Sequence, residues 1–89
     1  MVYLITYDLN KIGKDYNSLY MALRQYDYIR DKGLDFVWFV STTWTASQIY
    51  EHLKSHFDIN DRIIITQMTI GTHQGWIHKD VWSWINARL

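Results

Sequence analysis

The chain has no cysteine and no proline, only four glycines, and no excess of either charge. Without cysteine there is no disulfide framework and no thiolate zinc site, and a reducing compartment suits the composition. Without proline, no turn is fixed by a pyrrolidine ring. Nine basic side chains balance nine acidic ones, for a net charge of zero at pH 7. A nucleic-acid binder ordinarily carries a basic excess, so this chain would have to gather its cations on one face. No stretch approaches the roughly twenty apolar residues of a membrane span. The amino end, Met1 to Asp8, is too short and too acidic for a signal peptide. These absences lead to the expectation of a soluble, cytoplasmic protein with no membrane partner.

What the chain does have is aromatic side chains. They make up 17% of the 89 residues, with five Trp and seven Tyr. Apolar residues at 48% against charged residues at 20% describe one globular domain over residues 1–89. So high an aromatic content in so small a chain calls for a core, a partner or a ligand.

Val2 to Tyr7 is β-branched, aromatic and unbroken, which predicts a buried strand. Asp15 is a candidate N-cap, and Tyr16, Leu19, Tyr20, Leu23 and Tyr26 then follow at helical spacing, predicting a helix from about Tyr16 to Tyr26. Tyr28 to Lys32 reads as a short edge strand with protective charges. Gly33 turns the chain into a stronger strand, Asp35 to Ser41. Thr45 and Gln48 have the capping-box spacing, and Ala46, Ile49, Tyr50, Leu53 and Phe57 mark the stripe of a second helix. Arg62 to Ile70 is the last long strand, Gly71 to Gly75 a loop, and Asp80 a candidate cap for a final short helix. The order predicts an α+β, ferredoxin-like βαββαβ sandwich with a four-stranded antiparallel sheet and a carboxyl-terminal helix.

The strands are apolar on both sides. Val2 and Leu4 oppose Tyr3, Ile5 and Tyr7, and Phe36, Trp38 and Val40 oppose Val37 and Phe39. Two helices cover one face of such a sheet, and the other would remain as a large apolar patch. A two-fold homodimer is therefore expected, with Val2, Leu4, Trp38, Trp76, Trp82 and Trp84 at its interface. The competing reading is a monomer whose own last helix closes the sheet.

Asp8 ends the first strand beside a loop. A lone carboxylate is a poor Mg²⁺ site, but two copies meeting across a dimer would share a hydrated metal able to activate water against a phosphodiester. Asn10 offers a further oxygen. Lys11, Lys14, Arg30 and Lys32 are the candidate phosphate or nucleic-acid contacts, diluted by Asp15, Asp27, Asp31 and Asp35. The ordinary reading of Asp8 and Asn10 is a polar turn at a strand end. His52 and His56 stand at a metal-compatible spacing of four, yet flank a buried helix face, where ordinary hydrogen bonds are expected. His73 and His78 lie in or beside the Gly71–Gly75 loop, next to Trp76, as candidate ligand contacts or a general base.

Tyr3-Leu-Ile-Thr-Tyr-Asp-Leu-Asn10, followed by Lys14-Asp-Tyr-Asn-Ser-Leu19, resembles the opening of small bacterial and phage proteins related to the CRISPR adaptation "Cas-two" family. Ser41 to Leu53, then Phe57-Asp-Ile-Asn-Asp-Arg-Ile-Ile-Ile65, looks like their second half. The likeness is greatest to a group labelled "SinR family", with VapD-type ribonuclease toxins as further relatives. The resemblance implies a ferredoxin-like dimer in which Asp8 is the metal-binding residue of a nuclease. Many members of the broader family are instead structural and hold DNA or protein partners. This chain differs from the nucleic-acid-handling members in its neutral charge and in lacking an arginine cluster after Asp8.

The reading is a non-catalytic homodimeric interaction module that binds a protein partner through its aromatic surface, as in phage–host defence. The alternative is a Mg²⁺-dependent endonuclease or nucleic-acid-binding dimer with Asp8 at the interface.

Overall fold

The apolar run at the amino end forms β1, Val2–Asp8, in a computed structural model that describes residues 1–11, 13 and 15–89. The next element, α1, is Asn17–Leu23, shorter than its apolar stripe suggests. Asp15 accepts the Asn17 N–H at 2.8 Å just before the helix begins. The helix ends because the amides of Gln25 and Tyr26 donate three residues back, to the carbonyls of Ala22 and Leu23. β2 is only Asp27–Ile29, and β3 is Val37–Ser41.

The predicted capping box opens α2, Ala46–Leu53. Thr45 Oγ1 accepts the Gln48 N–H at 3.1 Å, and Gln48 Oε1 accepts the Thr45 N–H at 2.8 Å. A single 3₁₀ turn, Lys54–His56, extends that helix. β4 is Arg62–Met68 and α3 is Lys79–Arg88. The cap of α3 is His78, whose Nδ1 accepts the Asp80 N–H at 3.1 Å. Asp80 therefore lies in the first turn, not before it. Between β4 and α3 the chain turns at Thr69–Thr72, where Gly71 takes a φ of 80° that suits glycine. Among the described residues, no helix is long and apolar enough to cross a membrane.

The fold is α+β, with one open four-stranded sheet in the order β2-β3-β1-β4 and a carboxyl-terminal helix. Every neighbouring pair of strands is antiparallel. Two cores lie on opposite faces. On one face Tyr3, Ile5, Tyr7, Trp38 and Val40 meet Leu19, Ala22 and Leu23 of α1 and Ile49 and Leu53 of α2. Full burial of a side chain the size of Leu53 contributes roughly 1.5–3 kcal/mol. On the other face Val2, Phe39 and Met68 meet Val81 and Ile85 of α3, with Leu4, Val37, Trp82 and Trp84 partly buried around them.

The chain thus closes much of its second face with its own helix. Val2 lies beneath α3 with Leu4 beside it, and both are engaged inside the chain. Trp38 corrects the expected interface more sharply. It pairs in register with Ile5, not Leu4, and is fully buried in the α1/α2 core, on the opposite side from Val2. Trp82 and Trp84 flank the α3 core and are half-buried.

α3 is held over the β2 side of the sheet at both ends. The His78 N–H donates to Asp31 Oδ2 at 2.6 Å, and Arg88 Nε donates to Asp27 Oδ2 at 2.7 Å. On that face of β4, Met68 is covered, but Ile64 is left bare and is 63% exposed.

Candidate functional site

Asp8 sits at the end of β1, exposed and opposite Arg62 in the strand register. With Thr6, Tyr7, Ile63, Ile64 and Arg62 it lines an open hollow of about 330 Å³. Among the described residues, no three His, Cys, Asp or Glu side chains gather as a metal site. One carboxylate with a guanidinium across from it does not make the oxygen-rich shell that Mg²⁺ requires. The donor set of one chain does not fit that ion.

Asn10, the expected second oxygen donor, is engaged elsewhere. Its backbone N–H donates to Asp61 Oδ1 at 2.8 Å, and its side-chain amide donates to the Asn60 carbonyl at 3.1 Å. Asp61 carries no mark of its role in the sequence, where it closes a turn-like Asp58-Ile-Asn-Asp61 run. Its carboxylate is buried. It accepts the Tyr16 hydroxyl at 2.8 Å and the Asp58 N–H at 2.8 Å. The side chain ties the exit of β1, the start of α1 and the entry to β4 together. A buried carboxylate carrying several hydrogen bonds is a structural tie whose loss leaves orphaned donors.

The four histidines do not come together. His52 Nδ1 is hydrogen-bonded with the Tyr26 hydroxyl at 2.7 Å, and His56 Nδ1 with Ser18 Oγ at 3.0 Å. Tyr26, His52 and Trp44 pack as three mutually inclined rings, with centroids 5.5 to 6.2 Å apart. Burial there pushes the Tyr26 phenol above its ordinary pKa. His73 lies flat on Trp82 at 5.7 Å between centroids, and its Nδ1 is buried with no partner among the described residues. His78 caps α3.

Among the described residues, the expected basic side chains do not form one patch. Lys11 pairs with Asp58 at 3.5 Å. Lys14 lies outside the described residues. Arg30 covers the Trp38 ring at 4.5 Å and donates to the Asp35 carbonyl. Lys32 is exposed, in a hollow it shares with Arg30, Asp31, His78 and Asp80. The Asp31 carboxyl is held below its ordinary pKa by the N–H groups of His78 and Gly33. The surface around Lys32 is of mixed charge.

The aromatic residues divide sharply. Trp38 is internal, and Trp82 and Trp84 belong to α3 and pack against the second core, with the Arg88 guanidinium 4.2 Å from the Trp84 ring centre. Trp76 is 100% exposed and Ile70 is 80% exposed, both on the segment between β4 and α3. Of the six residues expected at an interface, Trp76 is the one standing wholly in solvent. Compared with known proteins, the chain matches no family model, no curated protein and no solved structure.

Proposed function

We propose that the chain is a non-catalytic, homodimeric interaction module that binds a protein partner through the segment between β4 and α3. The observation that carries this reading is the full exposure of Trp76, with Ile70 nearby in sequence and also in solvent. A wet indole is costly in a free protein, and Trp is the residue most enriched at binding hot spots. Zero net charge and the mixed surface around Lys32 favour a protein partner over a nucleic acid. The sheet order β2-β3-β1-β4, with helices after β1 and β3, supports assignment to the ferredoxin-like class. That assignment also agrees with the resemblance to Cas-two-like proteins, in which many members hold partners without cutting.

The test compares the wild-type chain with Trp76→Ala as immobilised bait. The wild type should retain one protein in fixed stoichiometry. Trp76→Ala should lose it at least tenfold, with an unchanged circular dichroism spectrum, since Trp76 supports no core. Equal retention by both would remove the segment from the reading. Mg²⁺-dependent cleavage of nucleic acid that disappears in Asp8→Asn would replace the reading with the nuclease alternative.

A further inference from the structure

The two border strands of the sheet differ in how open they are. β2 has three residues, its Asp27 is tied to Arg88, and Arg30 follows at once. β4 has seven residues, a single charge at Arg62, and Ile63-Ile64-Ile65 near its centre. A long apolar edge with few charges and no proline is a template for another strand.

The phase of the ladder shows which groups of β4 face outward. The Thr42 N–H donates to the Met1 carbonyl at 2.9 Å, and the Tyr7 N–H to the Phe36 carbonyl at 3.3 Å. Odd-numbered residues of β1 therefore point their backbone groups at β3, and even-numbered ones point at β4. Leu4, Thr6 and Asp8 are opposite Thr66, Ile64 and Arg62, which accordingly bond to β1. Ile63, Ile65 and Gln67 are left with N–H and C=O directed at the open edge.

These outward residues are spaced evenly about Ile65. If a second β4 lies antiparallel across a two-fold axis at Ile65, Ile65 faces its own copy and Ile63 faces Gln67. Those are the hydrogen-bonded positions of an antiparallel ladder, so every outward N–H and C=O of both strands finds a partner. The charges agree with this register. Arg62 falls opposite Met68, and the two arginines end about 20 Å apart at roughly 3.3 Å per residue, well beyond the ~8 Å screening length of physiological salt. Ile64 falls opposite Thr66 on the bare part of the α3 face. On the other face, Ala46, Ser47, Tyr50 and the three isoleucines line an open hollow of about 360 Å³ beside the edge, where the second copy's Ile63 and Ile65 arrive. The occupant that satisfies the hydrogen bonds and the charge spacing together is a second copy of this chain.

The geometry points to a homodimer in which β4 pairs with β4 about a two-fold axis at Ile65, so that one continuous sheet runs through both chains. This rests on the homodimeric part of the proposed function and moves the contact from the sheet face to the sheet edge.

The test is molar mass by light scattering at tens of micromolar, combined with cross-linking. The wild type should scatter as twice the 10.8 kDa chain. Gln67→Pro removes one outward N–H per strand and leaves the β1 ladder intact, so it should weaken the dimer at least tenfold while the far-ultraviolet spectrum is retained. Two single-cysteine variants, Ile64→Cys and Thr66→Cys, should each stay un-cross-linked alone and form a disulfide-linked dimer when mixed. Opposed residues lie about 4.5 Å apart between Cα atoms at such positions, within disulfide reach, whereas like residues lie beyond it. The mixture also decides the matter if Gln67→Pro fails to fold. A wild-type dimer with no mixed cross-link overturns the edge pairing and leaves the homodimeric reading standing. A wild type that is monomeric throughout overturns both, while partner capture through Trp76 is judged by its own experiment.

Discussion

The two faces of the sheet are closed by unequal means. On one, two helices lay Leu19, Leu23, Ile49 and Leu53 over Tyr3, Ile5, Tyr7, Trp38 and Val40. Buried polar atoms there are paired: Trp38 Nε1–H donates to the Tyr7 hydroxyl at 2.9 Å, and the Tyr3 hydroxyl donates to the Trp44 carbonyl at 2.7 Å. On the other, one helix supplies Val81 and Ile85 over Val2, Phe39 and Met68. A single helix about 10 Å wide cannot roof four strands spaced nearly 5 Å apart. Because α3 is fastened toward β2, the shortage falls on β4 at Ile64 and Thr66, beyond the buried Met68. The face that is poorer in packing is the one that leaves surface free for another chain.

The strongest way to break this contrast is to empty one site in each core. Leu53→Ala should cost about 3 kcal/mol, because its cavity is walled by two helices and the sheet and cannot collapse. Ile85→Ala should cost less, about 2 kcal/mol, because α3 has open surface at its side and can settle. Urea midpoints measure the costs, and hydrogen exchange locates them. Ile85→Ala should raise exchange in α3 while the amides of β1 and α2 stay protected. Equal costs, or loss of protection everywhere at once, would mean that the two faces are a single cooperative unit.

What was legible in the sequence and what was not follow from how far apart the interacting residues lie. The capping box of α2 is local, with Thr45 and Gln48 three residues apart, and it forms as the spacing predicts. The alternation within each strand is equally local and sorts each strand's side chains onto two faces. It does not phase one strand against the next. Only the register, with Ile5 beside Trp38 and Leu4 beside Phe39, shows that Trp38 shares a face with Tyr3 and not with Val2. Asp61 was illegible for the same reason. Its partners Asn10 and Tyr16 are 51 and 45 residues away, and nothing in a turn-like Asp-Ile-Asn-Asp run marks one carboxylate as buried. The stripe ending at Tyr26 overran α1. Tyr26 continues the apolar pattern with its side chain against His52, although the backbone has already left the helix.

A second prediction sharpens the better-packed face. Burial is the main cause that raises the Tyr7 phenol above its ordinary 10.0, while the Trp38 hydrogen bond opposes it, and Tyr26 is raised by burial as well. As pH rises past 10.0 the unfolded chain ionises these phenols before the folded one does. The unfolded state then binds fewer protons, so stability is intact below that pH and is lost as pH climbs through the folded values. Tyr7→Phe leaves the Trp38 N–H buried and unpaired, at a cost of about 1–3 kcal/mol near neutrality. It should also make the alkaline decline shallower. Urea midpoints between roughly pH 8 and 11 test both parts. A Tyr7→Phe variant with the wild-type alkaline slope would show that Tyr7 is not a source of the decline.

The smallest expected effect bears on why α3 lies where it does. Its two fastenings, His78 N–H to Asp31 and Arg88 to Asp27, are at the surface, where solvent screening keeps such contacts weak. Asp27→Asn and Asp31→Asn should therefore barely move the global urea midpoint. Their influence is on placement, since they pull the helix toward β2 and away from Ile64. The double variant should raise amide exchange in α3 and shift the fluorescence of Trp82 and Trp84, with the α1/α2 core undisturbed. The pH sign for Asp31 follows from its lowered pKa: its contribution is present above the ordinary 3.8 and is lost as pH falls through the folded value. Acid should accordingly loosen α3 before it unfolds the other face. A double variant with unchanged exchange in α3 would mean that Val81 and Ile85 position the helix without help, and the bare strip along β4 would then be a consequence of apolar packing alone.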